Sequence, residues 1–300
     1  MKEKVIRSPF FYVGDKYKLM PQLKELFPWN INRYIEPFVG GGSSFLNVDA
    51  QEYLVNDIDK YVVQLHRFLC RYVGKRDELV NELYAIIDKY KMSCSYRNIV
   101  VPDELKKQYV KTYYSHYNKL GYSKMKEAYN KKHEDSLLYL LLIYGFNHMI
   151  RFNSSGVFNL PVGNVDFNKN VYNAISDYLV FMETADVEFY SMDYAEFIGQ
   201  LELRTEDFIY CDPPYLVSDS EYNKLWDEEE EIRLCGILDD LDARGIRFGI
   251  TNLVNHKGKS NTIFSEWAQK YTIYNISSNY ISFNDNTIKD DSKEVYVTNA

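Results

Sequence analysis

The chain has 300 residues, 46% of them hydrophobic, enough for one large domain or a domain carrying a sizeable insertion, and too apolar for global disorder. A formal net charge of −8 excludes a uniformly basic nucleic-acid binder, so any such role must rest on how charge is distributed. The four cysteines form no CxxC pair and the five histidines no HExxH, so no zinc site is expected. Free thiols fit a reducing cytosol, and no signal-peptide pattern opens the chain. A cytoplasmic location, in a bacterium or a virus-infected cell, is therefore expected.

In chain order, residues 17–27 carry helical spacing through Leu19, Leu23 and Leu26. A short strand at 33–38 runs into Gly40-Gly41-Gly42, and a helix is expected to start at 43–48. A second strand, 52–55, ends in Asn56-Asp57, and 58–69 returns to helix. This is the βαβ opening of a doubly wound α/β sheet. From 71 to 132 the alternation stops, and charged, Tyr-rich helical segments predict an inserted helical subdomain. The apolar run 137–144 is too short to span a bilayer and predicts a core helix. Residues 147–163 place Ser154-Ser155-Gly156 between extended segments, a hairpin pattern. Strands are expected again at 187–190, 207–211, 246–251, 271–276 and 295–298, with a helix at 228–241 and polar loops at 217–223 and 284–292.

Between Leu105 and His133 lie eight lysines and one acid, Glu127, interleaved with tyrosines. Phosphate contact and a plain solvated helical face are both open readings of that run. The 28 tyrosines read first as partly buried core residues, with base stacking the alternative.

Two clusters carry chemistry. Glycines after the first strand let a ligand approach the backbone, and Asp57 at the end of the second strand suits a ribose hydroxyl. Phe45 stands where a dinucleotide fingerprint needs a third small residue, so the loop points to some nucleoside-bearing cofactor. The second cluster is Asp212-Pro213-Pro214-Tyr215, at the carboxyl end of an apolar strand, the edge at which open α/β sheets bind ligands. A carboxylate, two stiff carbonyl-bearing prolines and an aromatic ring suit a flat base bearing an exocyclic NH2.

Taken in order, Phe11-Tyr12-Val13-Gly14-Asp15-Lys16, Phe38-Val39-Gly40-Gly41-Gly42, Asp57 and Asp212-Pro213-Pro214-Tyr215 resemble the Dam-type N6-adenine DNA methyltransferases, in their alpha-class order. Residues 144–163 resemble the family's DNA-reading hairpin, Ser191-Met192-Asp193-Tyr194 its segment at the cofactor adenine, and 294–299 its last strand. The likeness implies a Rossmann-like methyltransferase sheet with an inserted helical, hairpin-bearing DNA-recognition subdomain. Residues 1–70 and 165–300 would form the S-adenosylmethionine-binding catalytic domain and 71–164 the recognition part. It further implies double-stranded DNA as substrate, a GATC-like site, and a cognate restriction endonuclease as a potential partner. Tyr12, Lys16, Phe38, Gly40, Gly42, Asp57, Asp193, Tyr194 and Asp212 would hold the cofactor. Asp212, Pro213, Pro214 and Tyr215 would act on a flipped-out adenine. Phe146, Asn147, Met149, Arg151, Asn153 and Pro161 would meet DNA, with Arg151 reading a guanine. The chain departs from the family pattern at Asp15, Phe11 and Tyr12, where a glycine, a basic residue and often Trp are usual, so one flank of the site is expected to be read differently. Cytosine-N4 transfer, a non-catalytic DNA-binding relative and a nucleotide-dependent oxidoreductase are the alternatives.

Overall fold

The computed structural model describes residues 4–218, 226–277 and 292–300. Most of the two polar loops expected at 217–223 and 284–292 lies outside the described residues. In chain order, helix α1 (Met20–Leu26) precedes strands β1 (Ile31–Glu36) and β2 (Ala50–Asn56). Helices α2 (Lys60–Cys70), α3 (Arg76–Lys89), α4 (Asp103–Gln108), α5 (Tyr113–Lys132), α6 (Asp135–Tyr144) and α7 (Lys169–Met182) follow. Then come β3 (Asp186–Tyr190), α8 (Tyr194–Gln200), β4 (Phe208–Cys211), α9 (Glu228–Ala243), β5 (Arg247–His256), β6 (Lys259–Ser260), α10 (Thr262–Trp267), β7 (Thr272–Ile276) and β8 (Lys293–Thr298). The chain folds as two compact units.

The sheet unit comprises Lys18–Val39, Asn47–Ile58 and Asp186–Ala300. Its strands run in the order β3-β2-β1-β4-β5-β8-β7, with β6 paired to β5. The first five of that row are parallel, and β8 enters antiparallel to both β5 and β7. Buried strands explain the sequence here: Phe208 to Cys211 are all buried, an unbroken apolar run rather than an alternating one. One face packs Ile35, Ile209, Phe248, Ile250, Val295 and Val297 against Phe197, Leu234, Leu238, Phe264 and Trp267 of α8, α9 and α10. On the other face Phe27, at the end of α1, sits 5.1 Å from both Phe208 and Tyr210 and 5.7 Å from Tyr296. Several tyrosines of the sequence are therefore core residues. At the amino end of the strands, Arg33 makes a bidentate, buried pair with Asp207, at 2.9 and 2.6 Å.

The second unit comprises Met1–Tyr17, Gly40–Leu46 and Asp59–Ala185. Its centre is α6, in which every residue from Leu137 to Tyr144 is buried. Among the described residues no helix is long and apolar enough to cross a membrane. Helix α5 presses so closely on the Tyr90 carbonyl that a Cβ at Gly121 would meet that oxygen at 2.2 Å, which explains a glycine in mid-helix despite its cost of about 1 kcal/mol. The expected hairpin is present in reduced form, as bridges Gly145↔Val162 and Phe152↔Phe158.

Two expectations need correction. The helix expected from 43 is only one 3₁₀ turn, Phe45–Asn47. Gly42 adopts φ +80°, and a Cβ there would lie 2.3 Å from the Phe45 ring, so the loop curls tightly over a buried Phe45 instead of opening a helix. Strand β5 extends to His256, five residues beyond expectation, because its far end pairs with both β8 and the short β6.

Candidate functional site

In the sheet unit the chain builds β1, β2 and β3 in one direction and then returns to lay β4 on the other side of β1. The β1–β4 boundary is thus the topological switch point, where connections diverge and leave a crevice at the carboxyl ends. Asp212-Pro213-Pro214-Tyr215 leaves β4 at that end, and Glu36-Pro37-Phe38 leaves β1 beside it.

Side chains from neighbouring strands fix Asp212. Thr251 of β5 donates to its Oδ1 at 2.9 Å, and the Tyr215 hydroxyl lies 3.0 Å from the same oxygen. Tyr215 also reaches the buried Glu294 of β8 at 2.7 Å, while Tyr210 and Thr251 hydroxyls are 3.0 Å apart. A polar chain therefore crosses β4, β5 and β8 beneath the carboxyl edge. Buried and fully connected, such a network holds its members in one arrangement. The Tyr215 ring is mostly buried, packed with Val217 and Leu253. Among the described residues no donor reaches the Pro213 carbonyl.

Next to this edge, buried Asn56 gathers three strand ends. Its Nδ2 donates to Pro37 O and Met192 O, each at 3.0 Å, and its Oδ1 accepts from Met192 N at 3.0 Å. Asp57 follows directly, half-exposed, its amide 3.4 Å from Tyr190 O. Phe38 lies 5.1 Å from Tyr194 and 5.7 Å from Trp226, forming an aromatic group in the same unit. Tyr194 is itself buried, its hydroxyl bonded to Glu230 at 2.8 Å. Asp193 caps α8 through Ala195 and Glu196 amides and pairs with Arg233 at 2.8 Å, so its carboxylate has structural work of its own.

The helical unit carries the N-terminal loop and the glycine loop. A Cβ at Gly41 would lie 3.0 Å from Tyr12 Cβ and Ser8 Oγ, so the two loops touch backbone to side chain. Asp15 is turned inward: Ser43 donates to it, as does the Tyr17 amide at 2.9 Å, and burial pushes its carboxyl above the usual range. The residue in place of the family glycine thus latches the N-terminal loop to the residue after the glycines. Tyr12 is nearly buried, 3.4 Å from Asp59, the N-cap of α2; Lys16 is nearly buried too, 3.3 Å from Gly14 O. Sequence reasoning passed over His66. Fully buried on α2, it lies 3.0 Å from Gly40 O through Nε2 and 3.0 Å from the Tyr178 hydroxyl through Nδ1. A carbonyl accepts only, so Nε2 carries the hydrogen and Tyr178 donates to Nδ1. Burial lowers the imidazole pKa to about 4, keeping this neutral tautomer.

In the same unit the hairpin rises from a neck made of glycines. A Cβ on Gly163 would meet the Gly145 carbonyl at 2.5 Å, and neck bonds run from Phe146 N to Pro161 O and from Gly163 N to Tyr144 O. Beyond the neck, Phe146 is half-exposed, and Asn147 and His148 both adopt left-handed φ, 53° and 50°. Such angles in successive non-glycine residues are uncommon. Phe11, also left-handed, packs at 5.5 Å from His148, with the Arg7 guanidinium 4.3 Å above its ring. A cation therefore stands beside Phe11 although Phe11 replaces a basic residue. Arg151 is held across the hairpin by Asn159, Nε to Oδ1 at 2.9 Å and Nη2 to the backbone carbonyl at 3.1 Å. Asn153 spends its side-chain carbonyl on the turn, accepting from Ser155 and Val157 amides, while Met149 is partly exposed and Pro161 exposed. Phe152 stacks on Tyr61 of α2 at 4.0 Å, anchoring the hairpin.

A family model for D12 class N6 adenine-specific DNA methyltransferases matches residues 12–281. The chain belongs to that family. This D12-class member is 30% identical over 302 residues to the type II methyltransferase M.FokI of Planomicrobium okeanokoites and 31% identical over 310 residues to the modification methylase StsI of Streptococcus sanguinis. Those alignments cover 98% and 99% of the chain but only 43% of each relative, so the chain spans less than half the length of either. The DNA adenine methylase of Escherichia coli K12 is 27% identical over 88% of the chain and 84% of its own length. Membership in a methyltransferase family implies a methyl donor, and the mixed, mostly parallel sheet is Rossmann-like as the family requires.

Proposed function

We propose that the protein transfers a methyl group from S-adenosylmethionine to N6 of an adenine flipped out of duplex DNA. The observation that carries this is Asp212, fixed by Thr251 and Tyr215 at the carboxyl end of β4 beside the switch point. Adenine N6 is a weak nucleophile because its lone pair is delocalised into the ring. Its two N–H groups would donate to the Asp212 carboxylate and the Pro213 carbonyl, two acceptors held in place before the base arrives. Both favour a localised lone pair and the positive charge that develops on nitrogen. Tyr215 would bear against the base, and Pro214 keeps the turn stiff. Alignment with the methyl group supplies much of the remaining rate enhancement.

The residues present fit S-adenosylmethionine, which would supply an electrophilic methyl on a sulfonium. Asp57 follows Asn56, whose bonds set the strand ends, and would hold the ribose hydroxyls. Phe38 offers an aromatic surface for the adenosine, beside the Asp193-Tyr194 turn. Gly40, Gly42, Tyr12 and Lys16 would serve the remainder, with His66 and Asp15 fixing their loops. Residues 1–70 and 165–300 would so hold cofactor and target base, and 71–164 would read DNA. N6 is paired in the duplex, so the adenine must leave the stack. Phe146 and Asn147 would brace the gap, Arg151 would read a guanine, and Met149 and Pro161 would meet thymine methyls; Asn153 shapes their turn. A companion restriction endonuclease belongs to the same reading, in keeping with two relatives that carry the name modification methylase.

Transfer of labelled methyl from S-adenosylmethionine to duplex DNA, followed by nucleoside analysis, tests the reading. N6-methyladenine is expected, and Asp212→Ala should reduce transfer by about 10²- to 10³-fold or more while folding is retained. N4-methylcytosine, or DNA binding without transfer by the intact protein, would overturn it.

A further inference from the structure

The hairpin leans on α5. Asn130 grips the returning hairpin strand through both halves of its amide: Oδ1 accepts from Phe158 N at 2.8 Å and Nδ2 donates to Phe158 O at 3.1 Å. Tyr129 packs on Phe158 at 5.8 Å. Sixteen residues earlier on the helix, the chain leaving the hairpin is held again. Asn164 accepts from Tyr114 N at 3.0 Å and donates to Lys111 O at 2.7 Å, and Asn118 donates to Val165 O at 3.3 Å. Residues 158–164 thus run back along most of α5, a helix about 30 Å long at 1.5 Å per residue.

Helical spacing places Lys119, Ser123 and Lys126 on the stripe that ends at Asn130 (i, i+4, i+7, i+11). That is the flank bordering the hairpin strand. Lys119 is exposed and Lys126 partly so, and neither has a carboxylate partner among the described residues. Lys106 and Lys132 of the same run do pair, with Asp103 and Glu134. Lys124 and Lys131 lie seven apart on a different face, in line with Glu127. A chain of net charge −8 that keeps unpaired cations beside its base-reading element does so against its overall composition.

We propose that Lys119 and Lys126 form a phosphate-binding rail on α5, gripping the duplex backbone that flanks the bases read by the hairpin. This rests on the DNA methyltransferase reading above. Ammonium groups on flexible stems bind phosphates as point charges without reading sequence, and each contact releases condensed counterions. The rail would position the duplex while the hairpin selects the site.

The test is the salt dependence of duplex binding. Lys119→Gln/Lys126→Gln should lower the slope of log K against log salt by about 2, at about 0.9 per phosphate lost. Between 50 and 200 mM salt the double variant would then lose about tenfold less affinity than the parent, equally on cognate and non-cognate duplexes. Lys119→Arg/Lys126→Arg should retain the parent slope, and Lys124→Gln/Lys131→Gln should change it less. An unchanged slope in the first variant, or an equal drop in the Lys124/Lys131 pair, would overturn the rail. A selective loss on the cognate site would also overturn it, by assigning these lysines to base reading. Failure of the parent protein to methylate any duplex would instead count against the proposed function.

Discussion

The Tyr215 hydroxyl donates to the buried carboxylate of Glu294 across 2.7 Å. Asp212 Oδ1 lies 3.0 Å from the same hydroxyl, so one hydrogen serves two carboxyl groups from β8 and the β4 edge. Glu294 therefore sets where the Tyr215 ring stands relative to Asp212. Glu294→Ala removes that anchor and should lower kcat by about 10- to 100-fold, the equivalent of a charged hydrogen bond worth about 1.5–3 kcal/mol. Glu294→Gln keeps an acceptor and should recover most of the loss. Steady-state methyl transfer, with cofactor affinity measured separately, checks this; an unaltered kcat in a folded Glu294→Ala protein would remove Glu294 from any positioning role.

His66 ties the glycine loop to a pH-dependent cost. Its imidazole is held neutral, with a pKa of about 4 against 6.5 in the unfolded chain. Between those values the unfolded state binds the extra proton, so stability falls as pH drops through 6.5 and the loss is complete below 4. The full loss is about 3 kcal/mol, from a shift of that size at about 1.4 kcal/mol per unit. His148, also lowered to about 4 by burial, adds to the same window. Urea midpoints at pH 7 and pH 5 should therefore differ, and His66→Gln should reduce the difference by roughly half. A pH dependence identical in parent and variant would contradict the assignment.

Arg151 and Asn159 make a specificity prediction. Two bonds from Asn159 fix the guanidinium plane before DNA arrives. Arg151→Ala should relax preference at one base pair by about 1–3 kcal/mol. Asn159→Ala removes only the Oδ1 contact and should give a smaller relaxation at the same pair. Methylation rates on a panel of single-substitution sites distinguish this from a phosphate contact, which would weaken all sites alike.

The sequence showed its chemistry where adjacent residues carry it. Asp212-Pro213-Pro214-Tyr215 was readable because an acid, two prolines and an aromatic ring end one apolar strand. Glu294, 79 residues beyond Tyr215, was not, because sheet order rather than chain order brings β8 beside β5. Asp15 read as a departure from a glycine; only the fold pairs it with Ser43. His66 looked like one helical position among many, since nothing local announces a buried imidazole aimed at Gly40 O. The 43–48 helix was misread because small hydroxyl residues after glycines resemble a helix start, whereas the volume of Phe45 decides the turn. Helix α6 was legible because a long unbroken apolar run admits little else.

The hairpin neck has a bearing on inheritance. A Cβ on Gly163 would meet the Gly145 carbonyl and a Cβ on Gly145 would meet the Leu141 carbonyl, each at 2.5 Å, so neither position tolerates a side chain and the neck keeps its shape whatever lies beyond it. Past that neck, the tip depends on the scaffold through few grips, chiefly Asn130 on Phe158 and Tyr61 on Phe152. A loop mounted in this way is a detachable cartridge. On the proposed reading, the residues of the tip can be exchanged for others without refolding the helices beneath, so that a new target site would call for substitutions in the tip alone.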